Sequence, residues 1–453
     1  MTYDVIVIGC GPGGEAAVVE AAEQGLRVAL VEARELGGTC LNRGCIPTKT
    51  LIHTADVVRE LKNGKIHGLS AEPKVDYPAL KARKEEVVEG LRKGIEAEIK
   101  AGKIDLYVGE ASLRDAHTVV VNEEELEAPS VILATGSVPA IPPIPGSNLH
   151  GVVTSDDILE QVRPYQQLVI IGGGVIGVEI AGVYEALGTQ VTIIEALDRL
   201  LPGLEVELGR SLATVLKKRG VDVHCAAKVS AIEEADGALC VRFEEKGTEQ
   251  VVRAEGVLIA TGRRANTSLV GDLPVEMHRG RVLTDSCGRT SIPGLYAIGD
   301  IADGYPQLAH TAAAMGVNAV CAITKQTPKR NMSLIPSIVY TSPEIGSIGL
   351  TEAEAVEHGK EVVVGKANTF SNARSVIAES ERGFVKIVAE KTSGKLLGAV
   401  FMCERATDLI HEMEIVIAAG MTVSDLLMNI QGHPTFSEVI VRALEAALKK
   451  LAQ

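Results

Sequence analysis

The stretch Val5-Ile6-Val7-Ile8-Gly9-Cys10-Gly11-Pro12-Gly13-Gly14 decides the fold. Four β-branched residues run into a glycine cluster, the pattern of a strand buried on both faces that turns directly into a helix. Gly9, Gly11 and Gly14 fit the spacing G-x-G-x-x-G. In that spacing the first glycine makes the tight turn, the second lets backbone approach a pyrophosphate, and the third lets helix and strand pack closely. Residues 13–25 read as an Ala-rich helix whose N-terminus faces the negative charge, and residues 27–32 as the next apolar strand. That strand ends in Glu32, where an acid hydrogen-bonds a ribose diol. A lone glycine fingerprint can be a structural turn. Strand, glycines, helix, strand and terminal acid in one row favour a nucleotide cradle.

The row recurs. Residues 168–171 form an apolar strand, Gly172, Gly174 and Gly177 repeat the fingerprint, a helix runs to about 187, and the strand at 190–195 ends in Glu195. Gly9 and Gly172 lie 163 residues apart, too far for the halves of one mononucleotide fold and suited to two separate dinucleotide domains. An acid at 195 repels a 2′-phosphate and favours NAD over NADP, although Glu195 taken alone reads equally well as a surface carboxylate. Working outward, Ala134-Thr135-Gly136 and Ala260-Thr261-Gly262 each close a strand late in their domain, and residues 295–300 form a third strand ending in Gly299-Asp300. Residues 71–102 carry many charges at helical spacing, and the proline-rich 139–145 reads as a linker. From about residue 335 strand-like segments (337–340, 384–389, 395–401) alternate with helix-like ones (352–358, 406–419, 437–451), an α+β pattern.

A chain of 453 residues is long enough for several cores, and 46% hydrophobic with 23% charged residues excludes disorder and fibrous repeats. The net charge of −14 argues against nucleic acid or an anionic membrane as partner, and 3% aromatic residues leave few stacking platforms for single strands. No run of about 18 apolar residues suggests a membrane helix. The start, already a strand without a basic leader, gives the expectation of a cytoplasmic protein. Eight cysteines are scattered except for Cys40 and Cys45, so a secreted disulfide framework is not expected.

Cys40 and Cys45 lie in Gly37-Gly38-Thr39-Cys40-Leu41-Asn42-Arg43-Gly44-Cys45-Ile46-Pro47-Thr48-Lys49. A C-x4-C pair near a helix start can form a disulfide or a dithiol, and a helix N-terminus lowers thiol pKa. Spacing alone leaves metal ligation and two ordinary buried cysteines open; the absence of a second Cys/His pair counts against metal, and the flanking glycines count against the bland reading. Far downstream, His433 precedes Glu438 by five residues. Thiol exchange needs a base and an acid near neutrality, which imidazole supplies, and a carboxylate can fix its tautomer. A histidine by itself is more often structural, and His53, His310 and His411 have that reading.

The dithiol segment resembles the redox-active motif of the flavin disulfide reductases, the pyridine nucleotide-disulfide oxidoreductases. Ala134-Thr135-Gly136, Gly299-Asp300 and His433-Pro434-Thr435-Phe436-Ser437-Glu438 fall where that family's motifs fall, over essentially the whole chain. The resemblance implies an α/β fold with two Rossmann-like domains, for FAD and NAD, plus a C-terminal α+β dimerisation domain. It implies an FAD domain over 1–145, an NAD domain over 146–265, a segment 266–334 completing the FAD side and an interface domain over 335–453. It makes Cys40 the interchange thiol, Cys45 the thiol against the flavin, and His433 the acid–base oriented by Glu438, reaching the dithiol from the partner subunit of a homodimer. Gly9, Gly11, Gly14, Glu32, Gly38, Thr39, Lys49, Ala111, Thr135, Gly136, Asp300 and Ala309 would line FAD. Gly172, Gly174, Gly177, Glu179, Glu195, Val229 and Gly262 would form the NAD side, with Glu179 pairing Lys49.

Within the family, the last cysteine is Cys403, so the C-terminal redox pair of some members is missing. Residues 195–202 and 340–344 resemble the members that oxidise protein-bound dihydrolipoyl groups with NAD. The implied partner is then a lipoyl-bearing protein of a 2-oxoacid dehydrogenase or glycine cleavage complex. Other disulfide reductases, or a non-catalytic structural flavoprotein, are the alternatives. Gln431, Thr311, Met315 and Arg43 depart from the common pattern.

Overall fold

The computed structural model describes residues 1–271 and 273–453 and divides the chain into two compact units. The first comprises Met1–Pro143, Val152–Pro164 and Leu258–Met332; the second comprises Ile144–Gly151, Tyr165–Val257 and Ser333–Gln453.

The first unit is built on a five-stranded parallel sheet in the order Leu295–Ala297, Ser130–Leu133, Val5–Ile8, Val28–Glu32, Asp105–Val108. All four residues of Val5–Ile8 are buried, as expected of a central strand covered on both sides. The alternation along it is visible in the two cores. Val5 and Val7 join a cluster with Ala17, Val18, Ala21 and Met315 of the helices Pro12–Glu23 and Ala309–Ile323. Ile6 and Ile8 join Val119, Val121 and Leu126 of a small antiparallel sheet on the other face. Side chains of period two thus feed two layers. The two helices pack through small residues: a Cβ on Gly316 would lie 2.3 Å from the Gly13 carbonyl oxygen.

The solvated helix or helix pair expected within 71–102 is a single helix, Tyr77–Ala101, started by Asp76, whose side chain accepts from the Ala79 N–H at 3.0 Å. It turns Leu80, Val88, Ile95 and Ile99 inward together with Lys84, which donates to the Leu159 carbonyl at 2.8 Å, and most of its other charges outward. The proline-rich stretch is not wholly a linker: Ser137–Pro139 pairs antiparallel with Arg263–Ala265.

In the second unit, Gln167–Ile171, Gln190–Glu195 and Asp222–Cys225 pair in parallel around the helix Val175–Ala186. An antiparallel meander follows, Ala227–Ala235, Ala238–Glu245 and Thr248–Ala254, which the sequence reading does not contain. Its hairpins turn at Asp236-Gly237 and Lys246-Gly247, all four residues at positive φ, as a two-residue turn matched to strand twist requires. The C-terminal part is a five-stranded antiparallel sheet, Ser337–Val339, Glu344–Gly349, Leu396–Cys403, Phe384–Glu390, Val362–Asn368. The helices Ala406–Ala418 and Glu438–Leu451 pack their apolar faces on it. The strands at 344–349 and 362–368 extend the pattern expected for this part.

Candidate active site

The first fingerprint turn is closed by sterics. Gly9 has φ +102°, and a Cβ there would lie 2.4 Å from the Ala134 carbonyl oxygen; one on Gly14 would lie 1.8 Å from the Gly9 oxygen. Gly11 differs. It is the N-cap of Pro12–Glu23, without a side-chain cap, and space is open above it to Gly38, 4.0 Å from a Cβ. The helix therefore presents bare amides beside open space, where an anion fits. Glu32 accepts from the Cys10 N–H at 2.7 Å and the Arg34 N–H at 2.8 Å, so the terminal acid also ties down the turn.

The second fingerprint repeats this geometry. Gly172 has φ +111°, a Cβ on Gly177 would come 2.1 Å from its oxygen, and nothing lies within 4 Å of one on Gly174, the N-cap of Val175–Ala186. Glu195 accepts from the Gly173 N–H at 2.6 Å and the Leu197 N–H at 2.7 Å, matching Glu32 bond for bond. Val229 sits at a bulge in Ala227–Ala235. Glu179 is buried and accepts from the Tyr340 N–H at 2.9 Å. Gly262 falls in the first unit, at φ +110° with open space about it.

The dithiol begins against the first turn. Gly37 donates its N–H to the Cys10 carbonyl at 2.8 Å, and Gly38, at φ +57°, would place a Cβ 2.6 Å from Gly11 Cα. Cys40 lies in the short helix Gly38–Arg43, and Cys45 opens the helix Cys45–Asn63. Gly44 joins them; a Cβ there would be 2.9 Å from the Thr39 oxygen, so only glycine lets the second thiol fold back on the first. The two thiols are held as a hydrogen-bonded pair. That bond, followed by burial and the Cys45 charge, pushes Cys40 well above the ordinary thiol range, and Lys49 opposes the shift. The general lowering expected of a helix start therefore does not describe Cys40. The shift favours the protonated form of Cys40, whereas Cys45 opens a 19-residue helix, a position whose dipole suits a thiolate. Lys49 is one turn along, on the same face. Burial pushes Cys10 and Cys403 up to about 12 and raises Cys225, which keeps these thiols protonated.

Thr135 donates to the Asn266 carbonyl at 2.7 Å, and Gly136 is at φ +67° with nothing within 4 Å of a Cβ. Asp300, in the turn Gly299–Ile301, accepts from Ser137 Oγ at 2.5 Å; Ser137 Oγ accepts in turn from Arg263 Nε at 2.8 Å. Ala111 lies in the strand Ala111–Leu113 and Ala309 opens Ala309–Ile323. Ser137 and Arg263 were not singled out from sequence. Their neighbours in Ala134-Thr135-Gly136 and Gly262 were, and those offered the signal.

In the second unit His433 Nδ1 is 2.8 Å from Glu438 Oε1, while Glu438 Oε2 accepts from the Thr435 N–H at 2.8 Å. The Thr435 N–H first, and His433 after it, hold Glu438 below the usual carboxylate range. The bond at Nδ1 leaves Nε2 outward on a side chain 71% exposed.

A pyridine nucleotide-disulphide oxidoreductase family model matches residues 3–316, and that family's dimerisation domain matches residues 335–444. The chain belongs to this family. Dihydrolipoyl dehydrogenase from Bacillus subtilis is 38% identical, covering 98% of this chain and 96% of its own length. The enzymes of the same name from Geobacillus stearothermophilus and Thermus scotoductus are 36% and 37% identical, over 98% and 99% of this chain. The Cu(II) complex of the HOCl-induced flavoprotein disulfide reductase RclA from Escherichia coli superposes with a TM-score of 0.87 at 28% identity, covering 98% of this chain and 99% of that one. The family's cofactors, FAD and NAD, are those of this chain. The residues fit them: both open helix N-termini, at Gly11 and Gly174, would be filled by a side chain and suit a pyrophosphate. No helix among the described residues is long and apolar enough to cross a membrane.

Proposed function

We infer that the protein oxidises dihydrolipoyl groups with NAD as acceptor, the activity of a dihydrolipoyl dehydrogenase. The observation that carries this reading is the Cys40–Cys45 pair folded onto the first nucleotide cradle, in a chain collinear with enzymes of that name.

With the pair oxidised, a dihydrolipoyl thiolate attacks Cys40 sulfur and the Cys40–Cys45 bond breaks, leaving Cys45 as thiolate. The second lipoyl thiolate attacks the sulfur bound to Cys40, closes the lipoyl disulfide and releases Cys40. His433 Nε2 takes the proton of the attacking thiol, and Glu438 holds the ring through Nδ1. The helix start beneath Cys45 and the charge of Lys49 stabilise the thiolate. FAD, which the cradle at Gly9, Gly11 and Gly14 would hold, would supply the two-electron relay from the thiolate to NAD. Glu32 and Glu195 hold the two cradles, Asp300 binds the sugar–phosphate side of FAD, and Gly38, Thr39, Ala111, Thr135, Gly136 and Ala309 line it. Val229 and Glu179 belong to the NAD side, and Lys49 stands beside the dithiol. The exposed His433 serves the dithiol of a second subunit across a homodimer. The electron donor is a lipoyl-bearing protein of a 2-oxoacid dehydrogenase or glycine cleavage complex, in the cytoplasm.

The test compares steady-state turnover on dihydrolipoamide with NAD against glutathione disulfide with NADPH, using FAD-loaded protein. The first pair should be preferred by orders of magnitude. Preference for the second would make the protein a reductase of another disulfide.

A further inference from the structure

The loop that carries His433 is gripped from two neighbouring segments. Asn372, 1% exposed, donates Nδ2 to the Thr435 carbonyl at 3.0 Å while its Oδ1 accepts from the Ser375 N–H at 2.8 Å. Phe436, next in the loop, lies under two guanidinium groups, with Arg374 Cζ 5.4 Å and Arg405 Cζ 5.7 Å from the ring centre. Both distances are within cation–π range.

Arg405 stands there at a cost. It is the residue before the helix Ala406–Ala418, in the left-handed region at φ 58°, ψ 28°, and makes no capping bond with its side chain. Asparagine or glycine fits that conformation far better than arginine. The helix start is served instead by Glu344, which accepts from the Thr407 N–H at 2.9 Å and Thr407 Oγ1 at 2.6 Å. Local backbone needs therefore do not explain an arginine at 405, whereas its contact with Phe436 does. Strain kept beside a functional loop is a pointer to use.

We propose that Arg374 and Arg405 clasp Phe436 and thereby hold the His433–Glu438 pair in working register, which makes Arg374, Arg405 and Phe436 positioning residues for the thiol chemistry. The clasp rests on the proposed role of His433. It acts through the loop, since Phe436 lies between Thr435, which donates to Glu438, and Glu438 itself.

The decisive variant is Arg405→Asn in the FAD-loaded full-length protein. Relief of the left-handed strain should leave its melting temperature equal to or above that of the parent. Its kcat for dihydrolipoamide oxidation should fall by about three- to tenfold, as expected for one lost cation–π contact, with KM within about twofold. Arg405→Lys should recover most of the rate. Carbethoxylation of His433 by diethyl pyrocarbonate, followed by peptide mass spectrometry, should speed up in Arg405→Asn. In a Phe436→Ala background Arg405→Asn should cause no further loss.

Stability and kcat falling together, or an undiminished effect in the Phe436→Ala background, overturns the clasp. If the parent oxidises no dihydrolipoamide, the proposed function fails, and the carbethoxylation rates alone decide the clasp: faster modification upholds it and an unchanged rate refutes it.

Discussion

At the scale of single residues, the thiol pair is asymmetric. Cys40 is raised by its bond to Cys45, by burial and by the neighbouring charge, and lowered by the charge of Lys49 and by a backbone bond from Cys45. Lys49→Met removes that opposing charge, so the pH at which reduced enzyme reacts with iodoacetamide at Cys40 should move up by about one unit. A profile that stays put or moves down would show that Lys49 does not face the thiol. Glu438 is depressed mainly by the Thr435 N–H and then by His433. Its grip on the loop is present above the unfolded value of about 4.3 and is lost only as pH falls through the lower folded value. Glu438→Gln should reduce kcat on dihydrolipoamide by about 10²- to 10³-fold, within the range for a disabled acid–base group. A loss below about fivefold would remove Glu438 from the mechanism. These chemical residues were legible because each stands in a short motif. The Ser137–Asp300 and Arg263–Ser137 bonds were not, since their partners are 163 and 126 positions apart and no local pattern marks them.

At the scale of elements, the helix Val206–Lys218 is tied to the C-terminal sheet of the same unit by charge. Lys386, half-buried, reaches Glu205 at 2.9 Å and Glu207 at 2.5 Å, and Lys366 also meets Glu207. Burial pushes Glu207 up, but the bonds from Lys366 and Lys386 outweigh it and bring it below the usual range. Lys386 is pulled down by burial and raised further by Glu207 and Glu205. The carboxylate's share of stability is present above about pH 4.3 and fades in acid; the lysine's share is present below about pH 10.4 and fades in alkali. Glu207→Gln should cost about 1 kcal/mol, allowing for its partial exposure, and should flatten the acid limb of melting temperature against pH. Superimposable limbs in parent and variant would refute the link. The buried parallel strands were readable because both their faces are apolar. The meander from 227 to 254 escaped because Glu233, Glu234, Glu244 and Glu249 fill its outward positions and dilute the alternation, even with Asp236-Gly237 marking a turn.

At the scale of the whole molecule, the dimerisation domain carries apolar side chains that its own unit does not cover. Met428 is 83% and Ile430 99% exposed, close in sequence to His433. Exposed apolar residues grouped this way mark an association surface. Ile430→Glu should shift the protein to monomers in sedimentation velocity and abolish dihydrolipoamide oxidation, with the far-ultraviolet spectrum preserved. Full activity in a monomer would show that each active site is complete within one chain. The three-part make-up of the first unit has a consequence for synthesis. Its strand Leu295–Ala297 is the last to join the sheet, beside Ser130–Leu133, and the helix Ala309–Ile323 covers the core after that. The ribosome must therefore deliver about 315 residues beyond Val5–Ile8 before that strand is fully enclosed. Val5–Ile8 waits until the last segment of its own unit is made, against the usual order in which one domain finishes before the next begins.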